Sequence, residues 1–185
     1  IKEIKVIDNG KGMDKEDALL CFSPHATSKI RNENDLFFIN TLGFRGEALP
    51  SIASVSDVFL DTSNRSDSTL VHIKGGKLES NEVGTVSKGT KIIVRDLFFN
   101  TPARLKFLKS YYTELNGVVS LIEKLSLSHP NISFKLSSDN KELIKTSGSN
   151  DLLKTIYEIY GYNVSKNMVY IEGHNDDYDI NGYVS

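Results

Sequence analysis

Short apolar runs alternate with polar punctuation along this chain, and two periods recur. Ile4 to Ile7 alternates as a strand does and delivers an acid, Asp8, at its end; Asp57 to Thr62, Thr69 to Lys74 and Thr90 to Arg95 repeat the strand pattern. Gly75-Gly76, between the second and third of these runs, predicts a tight hairpin turn. Helical spacing appears in Ala18 to Phe22, where Asp14, Glu16 and Asp17 suit the positive end of a helix, and again in Glu47 to Ala53. A longer apolar helix face is marked by Leu115, Val118, Val119, Ile122, Leu125 and Leu127. Ile132 to Leu136 returns to strand alternation before a turn at Asp139-Asn140. Asp151 caps a further helix through Tyr160, and Met168 to Glu172 and Tyr178 to Val184 are strand-like.

Consecutive strands joined by short turns imply mainly antiparallel pairing with helices on one face, an α+β two-layer sandwich. The small polar run Thr146 to Asn150 predicts a domain boundary, giving a first domain over 1–147 and the opening of a second over 148–185. Neither an internal repeat nor a low-complexity tract is visible.

Composition narrows the class. The 185 residues are 39% hydrophobic and 25% charged with a formal net charge of −2, enough chain for a real core and without the basic excess of a dedicated nucleic-acid binder. There is no apolar run of membrane-spanning length. Cys21, the single cysteine, excludes an internal disulfide and a cysteine-rich zinc site, and its apolar neighbours favour a buried structural thiol.

Two glycine-punctuated stretches carry the chemistry. In Asp8-Asn9-Gly10-Lys11-Gly12 a strand-end carboxylate, expected to be buried, would accept from a donor such as an adenine amino group, while glycines let backbone approach a flat ring. The same residues also suit a tight turn. In Thr41 to Leu49 glycines precede a helix start, whose freed N–H groups and dipole favour an anion. Neither stretch is a Walker or a Rossmann pattern.

Four runs taken in order carry a resemblance: Asp8-x-Gly10-x-Gly12-Met13; His25-Ala26-Thr27-Ser28-Lys29-Ile30; Gly43-Phe44-Arg45-Gly46-Glu47-Ala48-Leu49; and Gly89-Thr90 leading to Phe99-Asn100-Thr101-Pro102-Ala103-Arg104. Together they resemble the N-terminal ATPase region of the MutL mismatch-repair family. The first run is shared by the wider GHKL ATPases; the others are more specific, and a gyrase-like or chaperone-like ATPase explains them poorly. The resemblance implies the GHKL (Bergerat) fold, followed by a second domain like domain 2 of ribosomal protein S5.

By that resemblance Asp8 binds the adenine amino group, Gly10, Gly12 and Met13 shape the floor beneath the base, and Thr90 holds Asp8 and a bridging water. Thr27, Ser28 and Lys29 form a lid, and Leu42, Gly43, Phe44, Arg45, Gly46, Glu47, Ala48 and Leu49 wrap the phosphates. Arg45 and Glu47 could equally brace their loop. The cofactors implied are ATP and Mg2+; the family's activating Glu and its magnesium-binding Asn would precede Ile1, so this segment by itself is expected to be inactive. A lysine beyond the chain's end would also reach the nucleotide. The resemblance further implies an ATP-driven homodimer, the mismatch-recognition protein MutS and DNA as partners, no membrane, and a place in the bacterial cytoplasm at the nucleoid or in the eukaryotic nucleus. A binding module that senses nucleotide without turnover is the other class of function.

Pro24 stands before His25 where relatives commonly carry a basic residue, and His25 has no sequence neighbour suited to catalysis. Arg104, Lys106 and Lys109, interleaved with Leu105, Phe107 and Leu108, are candidates for DNA phosphate contact, although three basic residues on a helix also suit a solvated face.

Overall fold

The computed structural model describes residues 2–23 and 46–185 and divides into two compact units between Leu108 and Lys109. The first is built on a five-stranded antiparallel sheet: β1 (Glu3–Asp8), β2 (Asp57–Ser63), β3 (Ser68–Lys74), β4 (Lys77–Val83) and β5 (Gly89–Arg95), in spatial order β1-β5-β2-β3-β4. The β3–β4 hairpin turns on Gly75 and Gly76, both at positive φ as a two-residue turn of this hand requires.

Period-two alternation assigns the faces. Val58, Leu60 and Thr62 of β2 stand opposite Ile73, Val71 and Thr69 of β3, and opposite Val94, Ile92 and Thr90 of β5, so one face is apolar at one end and threonine-rich at the other. Against its apolar part pack α1 (Lys15–Leu20) through Ala18 and α2 (Ala48–Ala53) through Ala53, closing a core of Val58, Leu60, Val71 and Ile73. The acidic start of α1 behaves as its sequence predicts, with the Asp14 carboxylate accepting from the Asp17 N–H. Cys21 borders this core and donates to the Ala18 carbonyl; burial first, and the Asp17 charge second, push its thiol pKa from 9.0 up to about 12.

The other face is polar and aromatic. Phe59 stacks on His72 at 4.1 Å, His72 bonds Asp57 at 2.6 Å, and Arg95 lies over Phe59 while pairing with Glu3. Asp61, 5% exposed, accepts from the Thr85 N–H and hydroxyl in the β4–β5 connection. Ser68 and Ser63 donate to the carbonyls of Val86 and Ser87 in that same connection.

The second unit, Lys109–Ser185, contains α4 (Tyr111–Ser128), the β6 (Lys135–Ser138) and β7 (Lys141–Lys145) hairpin, α5 (Leu152–Tyr160), the one-turn α6 (Tyr162–Ser165), and the β8 (Val169–His174) and β9 (Asp179–Val184) hairpin. The short α3 (Pro102–Leu105) belongs to the first unit. Asp151 caps α5 by accepting from the Lys154 N–H, and Asp139-Asn140 turns β6 into β7 at positive φ. Two expectations shift: regular pairing in β6 begins only at Lys135, because Phe134 N–H bonds the Thr146 hydroxyl, and Val118 is exposed while Leu115, Val119, Ile122 and Leu125 are half-buried. Within this second unit α4, β7 and α5 pack on one another.

Candidate functional site

β1 pairs along its length with β5, and the register sets Asp8 opposite Thr90. Thr90 in turn stands opposite Thr62, and Thr62 opposite Thr69, so one row of polar side chains crosses four strands at the end of the helix-covered face. Thr62 is the centre of that row. Wholly buried, its Oγ1 lies 3.1 Å from the Met13 nitrogen, 3.1 Å from the Gly89 carbonyl and 3.1 Å from Thr90 Oγ1.

The loop after β1 folds back over this row under tight steric rules. Gly10 N–H donates to Asp8 Oδ1 at 2.8 Å, and no hydrogen bond is made to Oδ2 among the described residues. Gly12 adopts φ +69, and a Cβ there would stand 1.9 Å from the Ser63 carbonyl oxygen. Its glycine is therefore demanded by the approach of β2, a reason beyond the ring contact expected from sequence. Gly89, at φ +92, would bring a Cβ within 2.2 Å of the Asp8 carbonyl. Gly12, Gly89 and Thr62 thus lock the ends of β1, β2 and β5 together.

Asp8 itself is exposed, whereas the sequence reading expected a buried acid; the reason is that β1 is an edge strand of the described sheet and is exposed at every position. An exposed acid with one oxygen held by a backbone N–H keeps its other oxygen open to a ligand's donor.

The second glycine stretch is described only from Gly46, which sits at φ +66 before α2, with Glu47 at the helix N-cap and Ala48 and Leu49 in its first turn. Thr27, Ser28, Lys29, Leu42, Gly43, Phe44 and Arg45, with Pro24 and His25, lie outside the described residues. Ala53 places α2 on the same sheet face as the Asp8 row, but its C-terminal end is tied to the opposite end of the strands, where the Gly76 N–H bonds the Ala53 carbonyl. There it also meets the Phe98 to Arg104 run: the Phe98 N–H bonds the Val55 carbonyl and Asn100 Nδ2 bonds the Ser54 carbonyl. Motifs distant in sequence are so brought together in two pairs, Asp8 with Thr90 and α2 with the Phe98–Asn100 loop.

Arg104 and Lys106 are exposed on and after α3, beside Phe107 at 85% exposure, and Lys109 opens the second unit with its N–H on Glu114 Oε1. An open hollow of about 510 Å³, lined by Leu127, Leu152, Ile156, Tyr160, Met168 and Tyr183 among others, lies within the second unit and contains none of the expected nucleotide residues. Among the described residues no group of three or more His, Cys, Asp or Glu gathers to hold a metal ion, and no helix is long and apolar enough to cross a membrane.

Sequence reasoning missed Thr62 and Asp61. The signal was present in the break of pattern along β2, where Val58-x-Leu60 is followed by Thr62 at the next inward position.

The chain is 50% identical over 187 residues to the DNA mismatch repair protein MutL of Streptococcus agalactiae serotype Ia, covering all of this chain and 28% of that protein. It is 50% identical over 186 residues to the protein of the same description from a Geobacillus species, again over all of this chain and 30% of the relative. The chain belongs to the MutL family. It corresponds to the N-terminal ATPase-domain region of MutL, and it spans less than a third of the length of these two relatives. Among solved structures, the Aquifex aeolicus MutL ATPase domain complexed with ADP matches with a TM-score of 0.71 and 28% identity, over 93% of this chain and 60% of that one. No family model matches the chain. The five-stranded antiparallel sheet is the part of the MutL ATPase fold on which Asp8 and Thr90 are set side by side.

Proposed function

We propose that this region binds ATP and works as the nucleotide-driven switch of a DNA mismatch repair protein. The observation that carries the reading is the Asp8–Thr90–Thr62 row: an acid at a strand end, one oxygen held by Gly10 and the other open, beside a hydroxyl fixed by a buried partner. A carboxylate so placed fits the amino group of adenine, and the 50% identity to MutL proteins together with the ADP complex of a structural relative supports that choice.

In this reading Gly10, Gly12 and Met13 form the floor beneath the base, Thr27, Ser28 and Lys29 the lid, and Leu42 to Leu49 the phosphate wrap, with main-chain N–H groups meeting charge. ATP orders the lid and creates a surface on which two copies dimerise; hydrolysis by the whole protein releases it. DNA, engaged in part by Arg104, Lys106 and Lys109, and the mismatch-recognition protein MutS are the proposed partners, in the cytoplasm of a bacterium. Mg2+ would accompany the nucleotide. In domain terms residues 1–147 are read as the ATPase domain and 148–185 as the opening of the S5 domain 2-like domain.

The test is thermal unfolding of the full-length protein with and without magnesium-ATP. At a ligand concentration of ~100 Kd, binding adds about 2.7 kcal/mol to native stability. Asp8→Asn is expected to abolish most of that gain while leaving the unliganded protein's melting unchanged, because the Asn oxygen can still accept from Gly10 but its NH2 opposes the adenine amino group. Equal stabilisation of both proteins by ATP would refute Asp8 as the base reader.

A further inference from the structure

One hydroxyl makes three contacts at the base end of the sheet. Thr62 Oγ1 stands 3.1 Å from the Met13 nitrogen, 3.1 Å from the Gly89 carbonyl oxygen and 3.1 Å from Thr90 Oγ1. A hydroxyl carries a single proton, an amide N–H only donates and a carbonyl only accepts. For all three bonds to form together, the Thr62 proton goes to Gly89, Thr62 accepts from Met13, and the Thr90 proton is drawn onto Thr62. Thr90 Oγ1 is then left with lone pairs alone for any ligand. Beside it in the register stands Asp8, whose ionised carboxylate is likewise an acceptor only.

The geometry points to Thr62 as a positioning residue that sets purine specificity: by taking the Thr90 proton it makes the Asp8–Thr90 edge all-acceptor, suited to a 6-aminopurine nucleotide and hostile to a 6-oxopurine. The inference rests on the nucleotide reading above. Adenine's exocyclic amine donates into such an edge, directly or through water. Hypoxanthine in the same pose sets a carbonyl oxygen against acceptors and leaves them unpaired, which costs binding. Thr62 never touches the ligand; it acts through Thr90. Remove its hydroxyl and the Thr90 proton is free to turn towards a 6-oxo group.

The experiment measures the affinities of ATP and ITP by calorimetry, under conditions of negligible turnover, in the full-length protein and in its Thr62→Ser and Thr62→Val variants. Wild type is expected to prefer ATP, Thr62→Ser to keep that preference, and Thr62→Val to reduce the ATP-to-ITP ratio by about fivefold to tenfold, the equivalent of one hydrogen bond. Valine keeps the buried shape, and circular dichroism and melting check the fold; should Thr62→Val not fold, Thr62→Cys, whose sulfur is a weak acceptor for the Thr90 proton, is read the same way. Loss of affinity for both nucleotides by the same factor marks a merely structural role and overturns the inference, as does an unchanged ratio. A wild-type protein that binds neither nucleotide overturns the nucleotide reading itself, whereas wild-type preference for ATP with an unchanged ratio in Thr62→Val overturns only the role of Thr62.

Discussion

The two ends of one sheet face are built from the same strands and do different work. Towards one end Val58, Leu60, Val71 and Ile73 pack beneath α1 and α2, and nothing there needs a direction. Towards the other, the partners of the same strands are Thr62, Thr69, Thr90 and Asp8, where the Thr62 hydroxyl donates to the Gly89 carbonyl and accepts from the Met13 N–H. Apolar packing is proportional to area and forgiving of orientation, while hydrogen bonds are not. A ligand can therefore be read at the polar end without loosening the apolar end, and substitutions at the two ends should fail in different currencies.

The largest effect belongs to the apolar end. Leu60 is wholly buried between its strand neighbours, so Leu60→Ala is expected to destabilise the protein by about 2–5 kcal/mol in denaturant titration, with nucleotide affinity of the folded fraction unchanged. A variant that keeps its midpoint would break the contrast. Gly12→Ala comes next: positive φ and a Cβ 1.9 Å from the Ser63 carbonyl force the loop to move, costing roughly 1–3 kcal/mol and, unlike Leu60→Ala, weakening ATP binding in the same titration. The smallest effect sharpens the comparison through pH. Cys21 borders the apolar core with its thiol pKa raised from 9.0 to about 12, so the folded state holds its proton over a range in which the unfolded chain releases it. Stability is fully retained below pH 9 and declines as pH rises from there towards 12, and Cys21→Ala should flatten that decline in melting curves.

Much of this was legible in the chain because local rules and tertiary demands agree. The Gly75-Gly76 turn, the Asp14 and Asp151 caps and the strands around them follow from residues acting on their immediate neighbours. The Asp8 and Thr90 pairing was legible only through family resemblance, since nothing local in either segment announces a partner 82 residues away in a five-stranded register. Thr62 and Asp61 escaped for a related reason. Each is an ordinary strand residue whose meaning comes from what distant parts of the chain present: Met13 and Gly89 to one, Thr85 to the other. The role of Gly12 was half legible, as a glycine requirement whose cause, the Ser63 carbonyl, lies on another strand.

The connection from Gly84 to Lys88 is small and polar, the composition at which a protease would be expected to cut. Yet Asp61, Ser63 and Ser68 each grip it from the sheet, and cleavage requires a segment to peel away into an extended shape in a protease cleft. Limited digestion should spare this stretch, so that a nick between Gly84 and Lys88 would report melting of the strand ends that carry Thr62 and Thr90.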